Sequence, residues 1–276
     1  MDYLDLALAF FFGIVGGTLS GLLGVGGGII FIPVFDWLFK QKGIVGEELI
    51  RLMLANSFLA ILFSGISSSW KHQKMGTFYP KEIFTIAVPA MITGSGLSYL
   101  ITTQEWYKDI YFKGVFIAVI LVTLCRLRVS GKKEVQQERD YSILRFVLIG
   151  CATGVISAFS GLGGGVAMIP LLTLIMHQDM KKASGISIGV IPIMILPFLV
   201  IYGLQTPEIQ YTGGVGYLQF LIVLPVVLGI LVGSPLGVSI AKRIDSKQLK
   251  AIFATLLIVI AGKYIYNLAE DLNILH

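Results

Sequence analysis

The sequence predicts an all-α integral membrane protein built as an inverted repeat of two half-bundles, and three observations carry that prediction. Its 276 residues are 55% hydrophobic and only 13% charged, about half the charge of an ordinary soluble domain. A glycine-rich stretch inside an apolar run occurs twice, once in each half of the chain. The lysines and arginines gather in a few short loops, which is how the cytoplasmic loops of membrane proteins are marked.

The apolar runs are continuous rather than alternating, so they read as helices and not as strands of an outer-membrane barrel. They fall at 6–23, 29–39, 52–69, 82–101 and 110–126, then at 143–160, 166–176, 183–204, 217–241 and 249–269. Most approach the roughly 20 residues that cross a bilayer. The runs 29–39 and 166–176 do not; at 1.5 Å per residue each reaches roughly 16 Å, a half-crossing.

Each short run follows the repeated stretch. Ser20-Gly21-Leu22-Leu23-Gly24-Val25-Gly26-Gly27-Gly28 returns as Ser157-Ala158-Phe159-Ser160-Gly161-Leu162-Gly163-Gly164-Gly165, and Pro33 returns as Pro170. A glycine inside a helix costs about 1 kcal/mol relative to alanine, so both runs are expected to break at the triplets. Each half then holds one broken, re-entrant helical hairpin followed by three spanning helices. Two fainter echoes support the repeat: Asn56-Ser57 with Ile186-Ser187, and Gly94-Ser95 with Gly233-Ser234.

Charge sets the orientation. The link between the halves holds Arg126, Arg128, Lys132, Lys133, Arg139 and Arg145, so it faces the cytoplasm. Counting outward from it places 15 of the 21 basic residues on the cytoplasmic side. Three crossings per half is an odd number, so the second half enters from the opposite face. Both termini are therefore expected outside, with the two glycine tips meeting near the midplane. The divisions are 1–127 for the first repeat, 128–141 for a cytoplasmic linker and 142–276 for the second, inverted repeat. The location is the cytoplasmic (inner) membrane, multi-pass. Met1-Asp2-Tyr3-Leu4-Asp5 has two acids and no base, unlike a secretory signal, and is expected to be retained.

The net charge of +5 is explained by those loops, so no nucleic-acid partner is implied. Cys125 and Cys151 are too few for a disulfide framework and read as small buried apolar residues. His72, His177 and His276 fall in expected loops or at the terminus and form no metal set. Neither a metal nor an organic cofactor is implied.

The broken helices carry the chemistry. A helix that starts at a glycine triplet points several N–H groups at whatever lies ahead of it, with about half a positive charge from the macrodipole. Glycine lets a ligand reach that backbone closely. Two such starts converging from opposite faces cradle an anion without a buried arginine, which costs about 2.5–3.5 kcal/mol at the bilayer centre. The expected backbone ligands are Gly24, Gly26, Gly27, Gly28, Gly161, Gly163, Gly164 and Gly165. Hydroxyls and an amide are expected from Ser20, Asn56, Ser57, Ser157, Ser160, Ser184 and Ser187. Asp36, the one acid well inside an apolar run, and His72 are candidates for gating or proton linkage. Valine at Gly27 or Gly164 is expected to stop transport without unfolding the chain.

These residues resemble the TauE/SafE sulfite-exporter family. The resemblance rests on two copies of Ser-Gly-x-x-Gly-x-Gly-Gly-Gly with a proline five residues on, here with Ala158 at the first glycine of the second copy, and on His72 to Gly76. It implies a transporter of small sulfur-containing anions such as sulfite, sulfonates or related organosulfur compounds, and not an enzyme. The expected function is thus a secondary transporter working by alternating access, with the anion held by the glycine-rich helix starts. A small anion and the bilayer are the partners, with a coupled proton and a homodimer compatible with the reading. The alternative is a membrane-embedded scaffold or subunit in which the glycines serve helix packing only.

Overall fold

The structure is a computed structural model that describes residues 3–104, 106–129, 142–207 and 213–271. Most of the expected linker, residues 130–141, therefore lies outside the described residues, as do 208–212 in the loop before the ninth helix. The first half holds α1 (Tyr3–Leu23), α2 (Gly28–Lys40), α3 (Gly46–Lys74), α4 (Pro80–Thr103) and α5 (Asp109–Val129). The second holds α6 (Ile143–Ser160), α7 (Gly165–Ile175), α8 (Met180–Leu204), α9 (Phe220–Ala241) and α10 (Ser246–Asp271). Seven of these helices are long and apolar enough to cross a membrane. The other three are α5, at 21 residues, and the short α2 and α7, at 13 and 11 residues.

Both helices break where the sequence places the breaks, but only the returning limb is short. At 21 residues, α1 reaches about 31 Å. A two-stranded ribbon was not foreseen: β1 (Gly214–Val215) pairs antiparallel with β2 (Leu218–Gln219). The apolar Tyr217-Leu218 reads as the start of a helix, yet Gly213 and Gly216 take φ values of 84° and 56° and turn the chain, so α9 begins at Phe220. Cys125, expected buried, is exposed on α5.

Helices of opposite halves pack as close pairs through glycine. A Cβ on Gly13 or Gly17 of α1 would strike the backbone of Val226 or Ile230 on α9. A Cβ on Gly150 or Gly154 of α6 would strike the carbonyl of Ile86 or Ala90 on α4. The two ends of the bundle are tied separately. At one end Lys182 pairs with Glu82 at 3.2 Å and Ser246 Oγ donates to Asp179 at 2.8 Å. At the other, Arg51 Nη2 donates to the Gln104 carbonyl at 3.4 Å, and Tyr217 OH donates to Glu48 at 3.2 Å. Burial raises the Tyr217 phenol above its ordinary value, so it stays a neutral donor to that carboxylate.

Candidate functional site

The two glycine stretches have the same backbone. Gly24, Gly26 and Gly27 have φ of 80°, 78° and 83°, and their repeat mates Gly161, Gly163 and Gly164 have 66°, 72° and 75°. These left-handed angles are what glycine alone adopts at little cost. Each stretch closes one helix by the same bond, Gly24 N–H to Ser20 O at 2.8 Å and Gly161 N–H to Ser157 O at 2.9 Å. Each opens the next from a glycine N-cap: Ile30 and Phe31 donate to Gly27 O, and Ala167 and Met168 donate to Gly164 O. The N–H groups of Gly28 and Ile29, and of Gly165 and Val166, precede those first helical bonds.

The two tips touch. A Cβ on Gly28 would sit 2.8 Å from Leu162 C and 2.9 Å from Gly161 O, and one on Gly165 would sit 2.6 Å from Val25 Cα. Both lean on Ile61 in the middle of α3: its Cγ2 lies 3.0 Å from a Cβ on Gly26 and 2.8 Å from one on Gly163. Gly24 meets Ser184 on α8, whose Cα is 2.5 Å from the Cβ position. Every residue from Gly24 to Ile29 and from Ser160 to Pro170 is buried. The tips are thus closed over by Ile61, Ile191 and Ile195.

The polar side chains divide sharply. Ser20 Oγ accepts from Ser64 Oγ at 2.6 Å, and Ser64 Oγ lies 3.1 Å from Ser234 Oγ. Ser57 Oγ donates to the Gly161 carbonyl at 3.3 Å, bracing the second tip. Ser160 Oγ donates to Ile156 O at 2.6 Å. Asn56 is fully engaged: Nδ2 donates to Leu52 O at 2.6 Å and Tyr217 O at 2.9 Å, while Oδ1 accepts from Gln219 N at 2.7 Å. Its amide thus behaves as a third strand edge for the ribbon. Ser157 and Ser187 are buried without a protein partner, and so is Thr153, which the sequence did not single out. Ser64 was also missed; its only signal is its place two turns after Ser57 on the same apolar run.

The other two expected residues lie away from the tips. Asp36 pairs with Lys40 one turn later on α2, at 3.0 Å. His72, expected in a loop, is instead in the last turn of α3, buried, with Nδ1 2.8 Å from Thr77 Oγ1. It faces α8, where a Cβ on Gly185 would come 3.5 Å from that Nδ1.

The geometry corrects one expectation. Valine at Gly27 would meet the Phe31 ring at 2.6 Å, and at Gly164 it would meet the methyl of Thr153 at 2.5 Å, each at a left-handed angle. Neither substitution leaves folding untouched.

A family model described as sulfite exporter TauE/SafE matches residues 9–264. Among curated proteins, the chain is 26% identical over 252 residues to a probable membrane transporter protein of Methanocaldococcus jannaschii, covering 91% of this chain and 92% of that protein. It is 28% identical over 264 residues to a probable membrane transporter protein of Haemophilus influenzae, covering 93% and 96%. The probable membrane transporter protein YunE of Bacillus subtilis is 24% identical over 275 residues, covering 92% and 95%.

Proposed function

We propose a function from one premise: this chain belongs to the sulfite exporter TauE/SafE family and is a multi-pass membrane transporter rather than an enzyme. Its substrate is a small sulfur-containing anion, such as sulfite or an organic sulfonate, carried across the cytoplasmic membrane. The observation that carries this reading is the pair of triple-glycine helix starts in contact at the core. Each supplies free N–H groups and about half a positive charge, worth about 1–2 kcal/mol apiece when partly buried. Together they hold an oxyanion loosely enough to release it.

Alternating access follows from symmetry. Exchanging the halves turns the α1–α9 contacts, Gly13 to Val226 and Gly17 to Ile230, into the α6–α4 contacts, Gly150 to Ile86 and Gly154 to Ala90. This interchange supports an inverted repeat of 1–127 and 142–276 joined by a cytoplasmic linker at 128–141, with both termini outside. The basic loops gathered at the Lys182–Glu82 end support that orientation. An occluded site between two equivalent halves opens to either side when one half rocks against the other. The anion's ligands are the N–H groups at Gly26, Gly27, Gly28, Gly163, Gly164 and Gly165, with Ser157, Ser184 and Ser187 around them. Gly24 and Gly161 turn the chain, and Ser20, Ser57 and Ser160 brace it. A coupled proton would pass through Asp36 or His72, and a homodimer is compatible with this arrangement.

A scaffold in which the glycines only pack is the competing reading, and the close backbone approaches favour it at several positions. Counterflow separates the two. Liposomes containing the purified chain and preloaded with methanesulfonate or sulfite are expected to accumulate the radiolabelled anion saturably. Should no small anion exchange above protein-free liposomes, the scaffold reading stands.

A further inference from the structure

The buried hydroxyls around the two tips are not used alike. One set, Ser20, Ser64 and Ser234 from α1, α3 and α9, joins the two halves and satisfies itself. On the second-half side, the hydroxyls of Thr153, Ser157 and Ser187 are wholly buried and have no protein partner. Thr153 and Ser157 are one turn apart on α6 and share a face. Thr153 stands against the N-cap of α7, its methyl 2.5 Å and its carbonyl 3.5 Å from a Cβ on Gly164. Ser157 carries the carbonyl that turns Gly161. Ser187 lies three residues after Ser184 and four before Ile191, the α8 residues that touch Gly24 and Gly26, so it shares their face.

The repeat makes the asymmetry legible. Ser157 is the mate of Ser20, and Thr153 is the mate of Gly16. The first copy therefore has no hydroxyl where Thr153 stands; Phe31 fills that space, with ring atoms within 3.1 Å of a Cβ on Gly16. A buried hydroxyl without a partner opposes folding, so three beside paired helix starts ask for a ligand. Ser68 on α3 and Ser95 and Ser98 on α4 are also unpartnered, but, unlike Ser157 and Ser187, none of them has a residue one turn away that touches a tip glycine.

We infer that the anion takes its side-chain contacts from the second half alone, with Thr153 a specificity-determining ligand beside Ser157 and Ser187. This rests on the anion-site reading above. The first tip supplies backbone N–H groups, and the hydroxyls of Ser20, Ser64 and Ser234 are spent on one another. The ligand class is a small oxyanion with several oxygens, each able to accept one hydroxyl or N–H donor. A planar carboxylate, with two oxygens, leaves donors unmatched and binds less well.

The test uses the purified full chain, melted alone and with sulfite, methanesulfonate, thiosulfate, phosphate, nitrate or acetate. Thr153→Val keeps the side-chain shape and removes only the hydroxyl. It is expected to melt at or above the wild-type temperature without anion, and to lose at least tenfold in methanesulfonate affinity. Ser64→Ala, which strips Ser20 and Ser234 of their partner, is expected to melt lower and to hold affinity within about threefold. A Thr153→Val chain that keeps its affinity, or that melts lower than wild type, overturns the inference. Stabilisation of wild type by phosphate or nitrate alone, abolished in Thr153→Val, contradicts the sulfur-anion substrate and upholds the role of Thr153. Stabilisation by sulfur anions in both chains does the reverse, and stabilisation by none of the six overturns both.

Discussion

Gly27→Ala and Gly164→Ala are expected to reduce transport to the protein-free background, while Gly43→Ala leaves it running. The three glycines share one conformation, with φ of 83°, 75° and 77°. A left-handed alanine costs about 1–2 kcal/mol at all of them. They differ in surroundings. Gly43 has nothing within 4 Å of its Cβ position, whereas Gly27 faces the Phe31 ring at 2.6 Å and Gly164 faces Thr153. Overpacking adds about 1–3 kcal/mol, so the tip variants lose roughly 2–5 kcal/mol in all. That is within the 5–15 kcal/mol of a typical domain, and the chains should still fold. A crowding control comes from Gly150→Ala, whose Cβ meets the Ile86 carbonyl about 16 Å along α6 from Gly161. It is expected to melt lower yet transport. If Gly150→Ala loses transport as completely as Gly27→Ala at matched stability, the glycines are packing residues and not a site.

Asn56→Ala is expected to be the most destabilising of the polar substitutions. Its amide makes three hydrogen bonds, two of them to the ribbon backbone at Tyr217 O and Gln219 N. Removing it leaves those two buried groups unpaired, at about 1–3 kcal/mol each, or roughly 2–6 kcal/mol together. Both Nδ2 hydrogens are committed, so no donor is left for an anion. The predicted signature is a large fall in melting temperature, with the KM of folded protein changed less than about threefold. A variant that melts normally and raises KM tenfold would return Asn56 to the substrate. The neighbouring Ser57 braces Gly161 O, so loosening the ribbon is felt one residue away from the second tip.

Much of this arrangement was legible in the residues, and the parts that were not share a cause. The run 143–160 coincides with α6 because Ser142 and the Ser160-Gly161 turn bracket it. The run 52–69 underestimates α3, which spans Gly46–Lys74, because hydropathy falls at Glu47, Glu48 and Arg51 while the backbone stays helical. Arg51 and Glu47, four residues apart, even pair at 3.8 Å. The glycine breaks were readable because three glycines in a row oppose a helix whatever surrounds them. The state of the hydroxyls was not, because it depends on distant chain. Ser20 and Ser157 occupy equivalent places in the motif, yet only Ser20 meets Ser64 and Ser234. Asn56 looked like a ligand because nothing in α3 announces a ribbon 161 residues away. The echo between Gly94-Ser95 and Gly233-Ser234 implies an offset of 139, whereas the packing contacts of Ile86 and Ala90 match Val226 and Ile230 at 140. That echo falls one residue from the packing match, while Asn56-Ser57 and Ile186-Ser187 stand 130 apart.

The central claim is that backbone N–H groups and hydroxyls hold the anion, with no side-chain cation in the site. Its most direct test is the equilibrium affinity of methanesulfonate for the purified chain from about pH 5.5 to 8.5. Methanesulfonate is fully ionised throughout, unlike sulfite, and neither amide nor hydroxyl donors titrate in that range. The predicted change is less than tenfold, or about 1.4 kcal/mol. A steep loss of affinity centred in the range where histidine titrates, and abolished by His72→Gln, would contradict the account and move the anion to a side-chain cation.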